Sequence, residues 1–428
     1  RFLALIVFST VLDFAVGRGL ARTASRPARR ALLLASLLGN LGMLAVFKYA
    51  GFFSESLAGL VGQFGVTLDT ITLDIILPVG ISFYTFQTLS YTIDVYRGRQ
   101  EPWDDFLDFA LFVTFFPQLV AGPIVRARNL LPQFVEPKRA SAAQLGWGLA
   151  LLTTGLFQKI VLADGLMAPI VDTVYADVSR IGTLDAWIGT MAFASQIFLD
   201  FSGYSLCGIG AALCLGFVLP DNFRFPMGSV GFSDFWRRWH ITLSAWMRDY
   251  VFIPLARRMP SGGPGTAGAA LVTMFVVGLW HGAAWGFVLW GTFMGVLLVA
   301  ERLVMGALPA GDWRTGFLAQ RLGNVLTIGF LTLGLSLFRA PRGLDGFTVM
   351  GAMVLGAPNQ LELGAFNAVL GLTMLPLLMA AQTAVRHSSL EDAWARLPWW
   401  AKSALLTIML VGLAIAPRND RAFIYFQF

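Results

Sequence analysis

Charged residues drop out of this chain over long stretches. No Asp, Glu, Lys or Arg lies between Arg258 and Glu301, and shorter charge-free runs cover 31–47, 75–93, 109–125, 140–158, 186–199, 201–220, 322–338, 363–385 and 403–417. A helix needs roughly 20 apolar residues to cross the hydrocarbon core, so several of these runs qualify alone or with flanking residues that reach back to the interface. The pattern predicts an all-α polytopic membrane protein with about 9–11 membrane-embedded helices. No internal repeat or low-complexity linker is visible, and 1–428 reads as a single membrane domain. Because the chain opens at Arg1, without a methionine and directly in an apolar segment, one or more N-terminal helices are expected to be missing from it.

Two places break the apolar periodicity. Pro117, Gly122 and Pro123 fall inside one apolar stretch, Phe115-Phe116-Pro117-Gln118-Leu119-Val120-Ala121-Gly122-Pro123. Such backbone is tolerated at membrane depth only where protein buries it or it lines a cavity, which predicts a re-entrant segment. The other is the polar section 221–258, expected to be cytoplasmic or interfacial and helical. Within 233–250, Ser233 is a candidate N-cap with Asp234 in the first turn, and Trp236, Trp239, Leu243, Trp246 and Tyr250 recur every three or four residues. That stripe, with Arg237, Arg238 and Arg248 mostly off it, predicts an amphipathic helix lying at the interface.

Composition agrees. The chain is 56% hydrophobic and 13% charged with a mean hydropathy of +0.68, against about 25% charged residues in soluble domains. The net charge of +6 does not signal nucleic acid, because the cations gather in short loops as membrane topology requires. Arg18, Arg22, Arg26, Arg29 and Arg30 form a first loop without acids, expected in the cytoplasm. Crossings at 31–53 and 73–96 then lead out and back to Arg97 and Arg99. A basic loop with Arg126, Arg128, Lys138 and Arg139 follows after one apolar stretch only, and a re-entrant turn in that stretch keeps both loops inside. The next crossing, 140–166, leads outward to Asp172, Asp177 and Asp185.

Chemistry is sparse. Cys207 and Cys214 both lie in an apolar run, so they imply neither a disulfide framework nor a metal site. No phosphate-binding loop, dinucleotide fingerprint, Gly-x-Ser-x-Gly elbow or metal-ligand cluster occurs, and no bound cofactor is expected. Of three histidines, His281 sits in the middle of the longest charge-free stretch, in Gly278-Leu279-Trp280-His281-Gly282-Ala283-Ala284-Trp285. An ionisable group at that depth marks a functional site by default. Gly278, Gly282 and Gly286 around it form a close-packing pattern. His240 lies one residue beyond the aromatic stripe, and His387, between Arg386 and Ser388, reads as an exposed loop residue. Asp200, in Ile197-Phe198-Leu199-Asp200-Phe201, is expected to pair with an arginine of the cytoplasmic section, since an unpaired carboxylate there costs roughly 2.5–3.5 kcal/mol. From these residues two classes remain open: an enzyme with its site inside the bilayer, and a transporter or channel using intramembrane His and Asp.

The motifs, taken in order, favour the first. Phe115 to Arg126, then Phe201-Ser202-Gly203-Tyr204-Ser205, Asp221-Asn222-Phe223-Arg224-Phe225-Pro226, Phe235-Trp236-Arg237-Arg238-Trp239-His240, Leu279-Trp280-His281-Gly282-Ala283 and the ending Phe423-Ile424-Tyr425-Phe426-Gln427-Phe428 resemble the membrane-bound O-acyltransferases, in their alginate O-acetyltransferase-like branch. Leu206 after Gly-Tyr-Ser resembles instead the lipoteichoic-acid D-alanylation relative; Met227 and Met294 stand where the branch commonly has an aromatic residue and a histidine. The resemblance implies helices around a central tunnel, with His281 as catalytic histidine and His240 as a second site residue. It implies transfer of an acetyl group from a cytosolic thioester such as acetyl-CoA, as co-substrate, for O-acetylation of an exopolysaccharide or cell-wall glycan. The implied setting is the bacterial inner membrane, beside a periplasmic SGNH-type partner and polysaccharide synthesis machinery. Arg237, Arg238 and Trp239 become candidates for donor binding, since phosphates of a nucleotide-containing donor need cations. Tyr425 reads either as an interfacial aromatic anchor or as an acyl relay. A phenol ionises near pH 10, so a histidine can activate it, and its ester stays reactive. The resemblance favours the relay.

Overall fold

In the computed structural model, residues 3–69, 80–119, 122–309, 311, 316–340, 344–359, 363–417 and 421–423 are described. Among them every regular element is a helix. Among the described residues eight helices are long and apolar enough to cross a membrane: α1 (Leu3–Arg22), α2 (Arg26–Gly62), α5 (Ala142–Tyr175), α6 (Thr183–Cys214), α9 (Gly263–His281), α10 (Trp285–Ala307), α11 (Phe317–Arg339) and α13 (Ala365–Val385). Between them stand α3 (Ile81–Tyr96), α4 (Phe106–Thr114), α7 (Phe232–Trp236), α8 (Ile241–Met247) and α12 (Asp345–Leu355), and α14 (Trp399–Ile415) follows the last. The chain is a multi-pass membrane protein, and it divides into two compact units.

One unit comprises Arg1–Gly148 and Gly208–Pro220. Pro27 lies in the first turn of α2, where its missing N–H leaves no bond unmade. Arg29 donates to the carbonyls of Leu20 (2.6 Å) and Tyr96 (2.9 Å), tying three helix ends together. Inside, the fully buried Asp13 carboxylate accepts from Ser36, from Asn40 at 2.7 Å and from Thr92 at 2.8 Å. A charge-bearing group in an apolar interior is tolerable only with such bonds. The predicted helix break is present: α4 ends at Thr114, Phe115 is extended, and one short turn, Phe116–Leu119, follows. The Phe112 carbonyl freed near that break accepts from Gln87 and Gln118 at 3.0 and 2.8 Å, so buried protein satisfies the irregular backbone.

The other unit comprises Leu149–Cys207 and Asp221–Phe428. Two expectations are corrected within it. The runs 186–199 and 201–220 are not separate segments, since one 32-residue helix, α6, continues through Asp200. The predicted continuous helix over 233–250 is broken into α7 and α8, and the cap of α7 is Gly231, at φ +92°, rather than Ser233. Ser233 instead donates to Glu301 through its N–H and hydroxyl, both at 2.8 Å. Asp234 holds the turn, accepting from the Val230 N–H at 3.1 Å and pairing with Arg238 at 2.9 Å and Arg386 at 3.1 Å. α9 and α10 form a hairpin whose backbones meet closely at Gly278 and Gly291. Gly278 is thus a packing glycine, as its spacing suggested, and it packs against Gly291 and the Phe287 carbonyl.

Candidate active site

His281 is the last residue of α9, and the backbone turns extended at Gly282. Its imidazole is buried among rings. The Trp280, Trp290 and Phe338 centroids lie 5.0, 5.0 and 5.2 Å away, all edge-on. It borders a cavity of about 40 Å³ whose wall is otherwise mostly apolar and includes Trp239, Trp290, Thr332 and Phe338. Met227 and Met294, two of the three positions that depart from the pattern of the branch, both line this cavity. Trp290 adds an indole N–H, buried and without an acceptor among the described residues.

His240 reaches the same region by a different route. Asn222, itself buried, accepts from the Ile241 N–H through its carbonyl (2.9 Å) and from the Thr242 hydroxyl through its side chain (2.9 Å), and donates to Ser205 (3.1 Å). The Arg224 N–H bonds the Arg238 carbonyl at 2.9 Å. This backbone pairing bends the chain between α7 and α8 and holds His240 at φ +43°. A left-handed backbone at a non-glycine residue costs on the order of 1–3 kcal/mol and clusters at functional sites. The turn drives the imidazole fully inside. Its ring meets Phe201 at 4.6 Å and Trp280 at 5.9 Å, so one indole stands beside both histidines. Burial pushes the His240 imidazole from 6.5 down to about 3, which keeps it neutral at physiological pH. With the folded value depressed, its contribution to stability is present above about 6.5 and is lost as pH falls towards about 3. Replacing Asn222 by alanine removes its side-chain bonds to Thr242 and Ser205 and is expected to cost about 1–3 kcal/mol. Thermal unfolding of the purified variant checks this, and an unchanged transition would show that the turn forms without Asn222.

Asp200 is paired, but not with an arginine of section 221–258. Its partner is Lys159, at 2.7 Å, which also meets Asp164 at 3.0 Å. Lys159 and Asp164 lie on a π-helical stretch of α5, Phe157–Met167. Side chains five apart point about 140° away from each other on an α-helix, whereas a π turn brings them onto one face. Apolar periodicity at 3.6 residues could not show this cluster; the lysine closing the run 140–158 was its only trace in the sequence.

The other predicted residues separate. Trp239 packs on Phe198, Phe223 and Phe235 and lines the His281 cavity. Arg238 is engaged with Asp234 and donates to the Arg386 carbonyl at 2.9 Å, while Arg237 is largely exposed. These arginines therefore do not share one surface with His240. His387 is exposed in a turn, as expected. Tyr425 lies outside the described residues; Phe423, two positions earlier, is buried against Tyr204 (4.8 Å) and Phe201 (5.6 Å). No group of three or more potential metal ligands occurs among the described residues.

Comparison with known proteins matches residues 104–338 to the model of the membrane-bound O-acyltransferase family. The chain is 41% identical over 336 residues to a probable alginate O-acetylase of Azotobacter vinelandii, covering 76% of this chain and 65% of that protein. It is 32% identical over 385 residues to the peptidoglycan O-acetyltransferase of Helicobacter pylori, covering 83% and 70%. Similarity to the teichoic acid D-alanyltransferase of Bacillus subtilis is 26% over 278 residues, covering 61% and 68%. The chain thus spans slightly less than two thirds of the length of the alginate O-acetylases it matches.

Proposed function

Because the chain belongs to the membrane-bound O-acyltransferase family, we propose that it moves an acetyl group from a cytosolic thioester, acetyl-CoA or a similar donor, to a hydroxyl for O-acetylation of an exopolysaccharide or cell-wall glycan. The observation that carries this reading is His281, an ionisable group walled by Trp280, Trp290 and Phe338 at an otherwise mostly apolar cavity.

His281 takes the proton of the acceptor hydroxyl as that oxygen attacks the thioester carbonyl. The new C–O bond leaves a tetrahedral oxyanion; its collapse breaks the C–S bond, and the thiolate leaves with the proton held by the imidazolium. The positive charge gained in between sits at the carbonyl end of α9, the end of a helix that favours cations. The buried indole N–H of Trp290, on the cavity wall, is the donor this reading assigns to the oxyanion. Trp290→Phe keeps the ring's contact with His281 and removes that donor, so turnover at saturating thioester is expected to fall on the order of 10²-fold, with KM little changed. A fall in affinity alone would make Trp290 a packing residue.

Sidedness is consistent with delivery outward. Arg421 by itself argues for the cytoplasm. In the structure it pairs with Asp172 at 2.6 Å, and Asp172 belongs to the acidic segment that charge distribution puts outside. This supports a terminal segment accessible to a periplasmic SGNH-type partner, with the protein in a bacterial inner membrane. Purified protein in lipid nanodiscs, given a labelled acetyl thioester, is expected to release thiol and become acetylated. Solute flux without thioester turnover would refute the proposal and return the transporter reading.

A further inference from the structure

Lys159, Asp164 and Asp200 form a buried charged cluster for which acetyl transfer at His281 has no use. Lys159 also donates to the Ala422 carbonyl at 3.4 Å. Further along α5, Asp172 pairs with Arg339 at 3.2 Å and with Arg421 at 2.6 Å. Among the described residues, without the terminal segment, three carboxylates (Asp164, Asp172 and Asp200) face two cations, Lys159 and Arg339. Arg421 brings the third, and its charge also reaches Asp164. Unbalanced like charges repel one another, so this acidic excess favours a basic ligand. The two pairs differ in setting: Asp200 is 1% and Lys159 15% exposed, whereas Asp172 is 47% and Arg421 32% exposed. The Asp172–Arg421 pair is within reach of water and salt.

The geometry points to a charge-gated receptor for the chain's own terminal segment. The Asp172–Arg421 pair sets how long the segment stays docked, and Lys159 is a positioning residue that sets its register through the Ala422 carbonyl. In that register the Phe423 ring lies on Tyr204 and Phe201, and the Phe201 ring meets His240. The use of the device rests on the function proposed above, since a segment that accepts an acetyl group and hands it on must dock and leave. Its existence does not.

Trypsin tests this without any acetyl donor, so the result is independent of whether the protein is an acetyltransferase. Cleavage after Arg421 requires that residue to leave Asp172 for the protease. In full-length protein carrying Arg418→Gln, held in nanodiscs that expose both faces, release of the terminal peptide is followed by mass spectrometry. Asp172→Asn and Lys159→Met are each expected to speed release tenfold or more. Salt at about 1 M, where the Debye length is about 3 Å, should bring the parent protein towards the Asp172→Asn rate and change that variant little. Should Lys159→Met fail to fold, Asp172→Asn decides, because its side chain is half-exposed. Release within twofold of the parent rate in Asp172→Asn overturns the proposal, since the segment is then held without that pair.

Discussion

Acetyl transfer by His281→Ala protein is expected to fall by ~10²–10⁴-fold, the range a positioned general base supplies. Among the described residues that line the cavity, no other group has suitable basicity. His240 is held neutral by burial and borders Trp280, not the cavity itself. Trp239, Trp290, Phe338 and the methionines offer no base, and the Thr332 hydroxyl is far too weak an acceptor of a proton. Since alanine leaves a void among the rings of Trp280, Trp290 and Phe338, His281→Gln is the companion variant: it nearly preserves volume and hydrogen-bonding capacity but cannot carry the proton. Both should elute as folded protein and still bind the thioester. Labelled acetyl transfer within tenfold of the parent in His281→Gln would remove His281 from the chemistry and make it a structural histidine between α9 and the neighbouring rings.

The second large effect is expected from Tyr425→Phe. Under the proposed function the polymer is outside and the thioester donor inside, so the acetyl group would have to pass through the membrane. A phenol presented to the histidines from the outer side can accept it and pass it to a serine nucleophile of a periplasmic partner. Phe423 is the neighbouring described residue, one ring removed from His240. Two further residues extend at most about 7 Å from it. Tyr425→Phe keeps the apolar contact of an interfacial anchor and removes only the hydroxyl. A relay therefore predicts loss of polymer acetylation with expression and insertion intact, and an acetyl group on the terminal peptide of the parent protein when the partner is absent. Near-normal acetylation in the variant would identify Tyr425 as an anchor.

Much of this molecule was legible before its structure. Charge-free runs separated by short basic loops determine a multi-pass helical membrane protein, because only helices satisfy their own backbone in lipid and because cations stay on the cytoplasmic side. Pro117, Gly122 and Pro123 placed the broken stretch, and the single imidazole of 259–300 singled out His281. These are local statements: each depends on one segment and its solvent. Tertiary structure alone decided which polar groups meet. Asp200 looked for an arginine and took Lys159, because a π-helical stretch turned Lys159 and Asp164 to one side. The aromatic stripe after Ser233 looked like one helix, yet Asn222 and Arg224 bond the backbone at its middle and turn His240 inward. Periodicity records which face of a segment is apolar. It carries no distance between segments, and a bilayer interior, where every unpaired polar group is costly, is where those distances matter most.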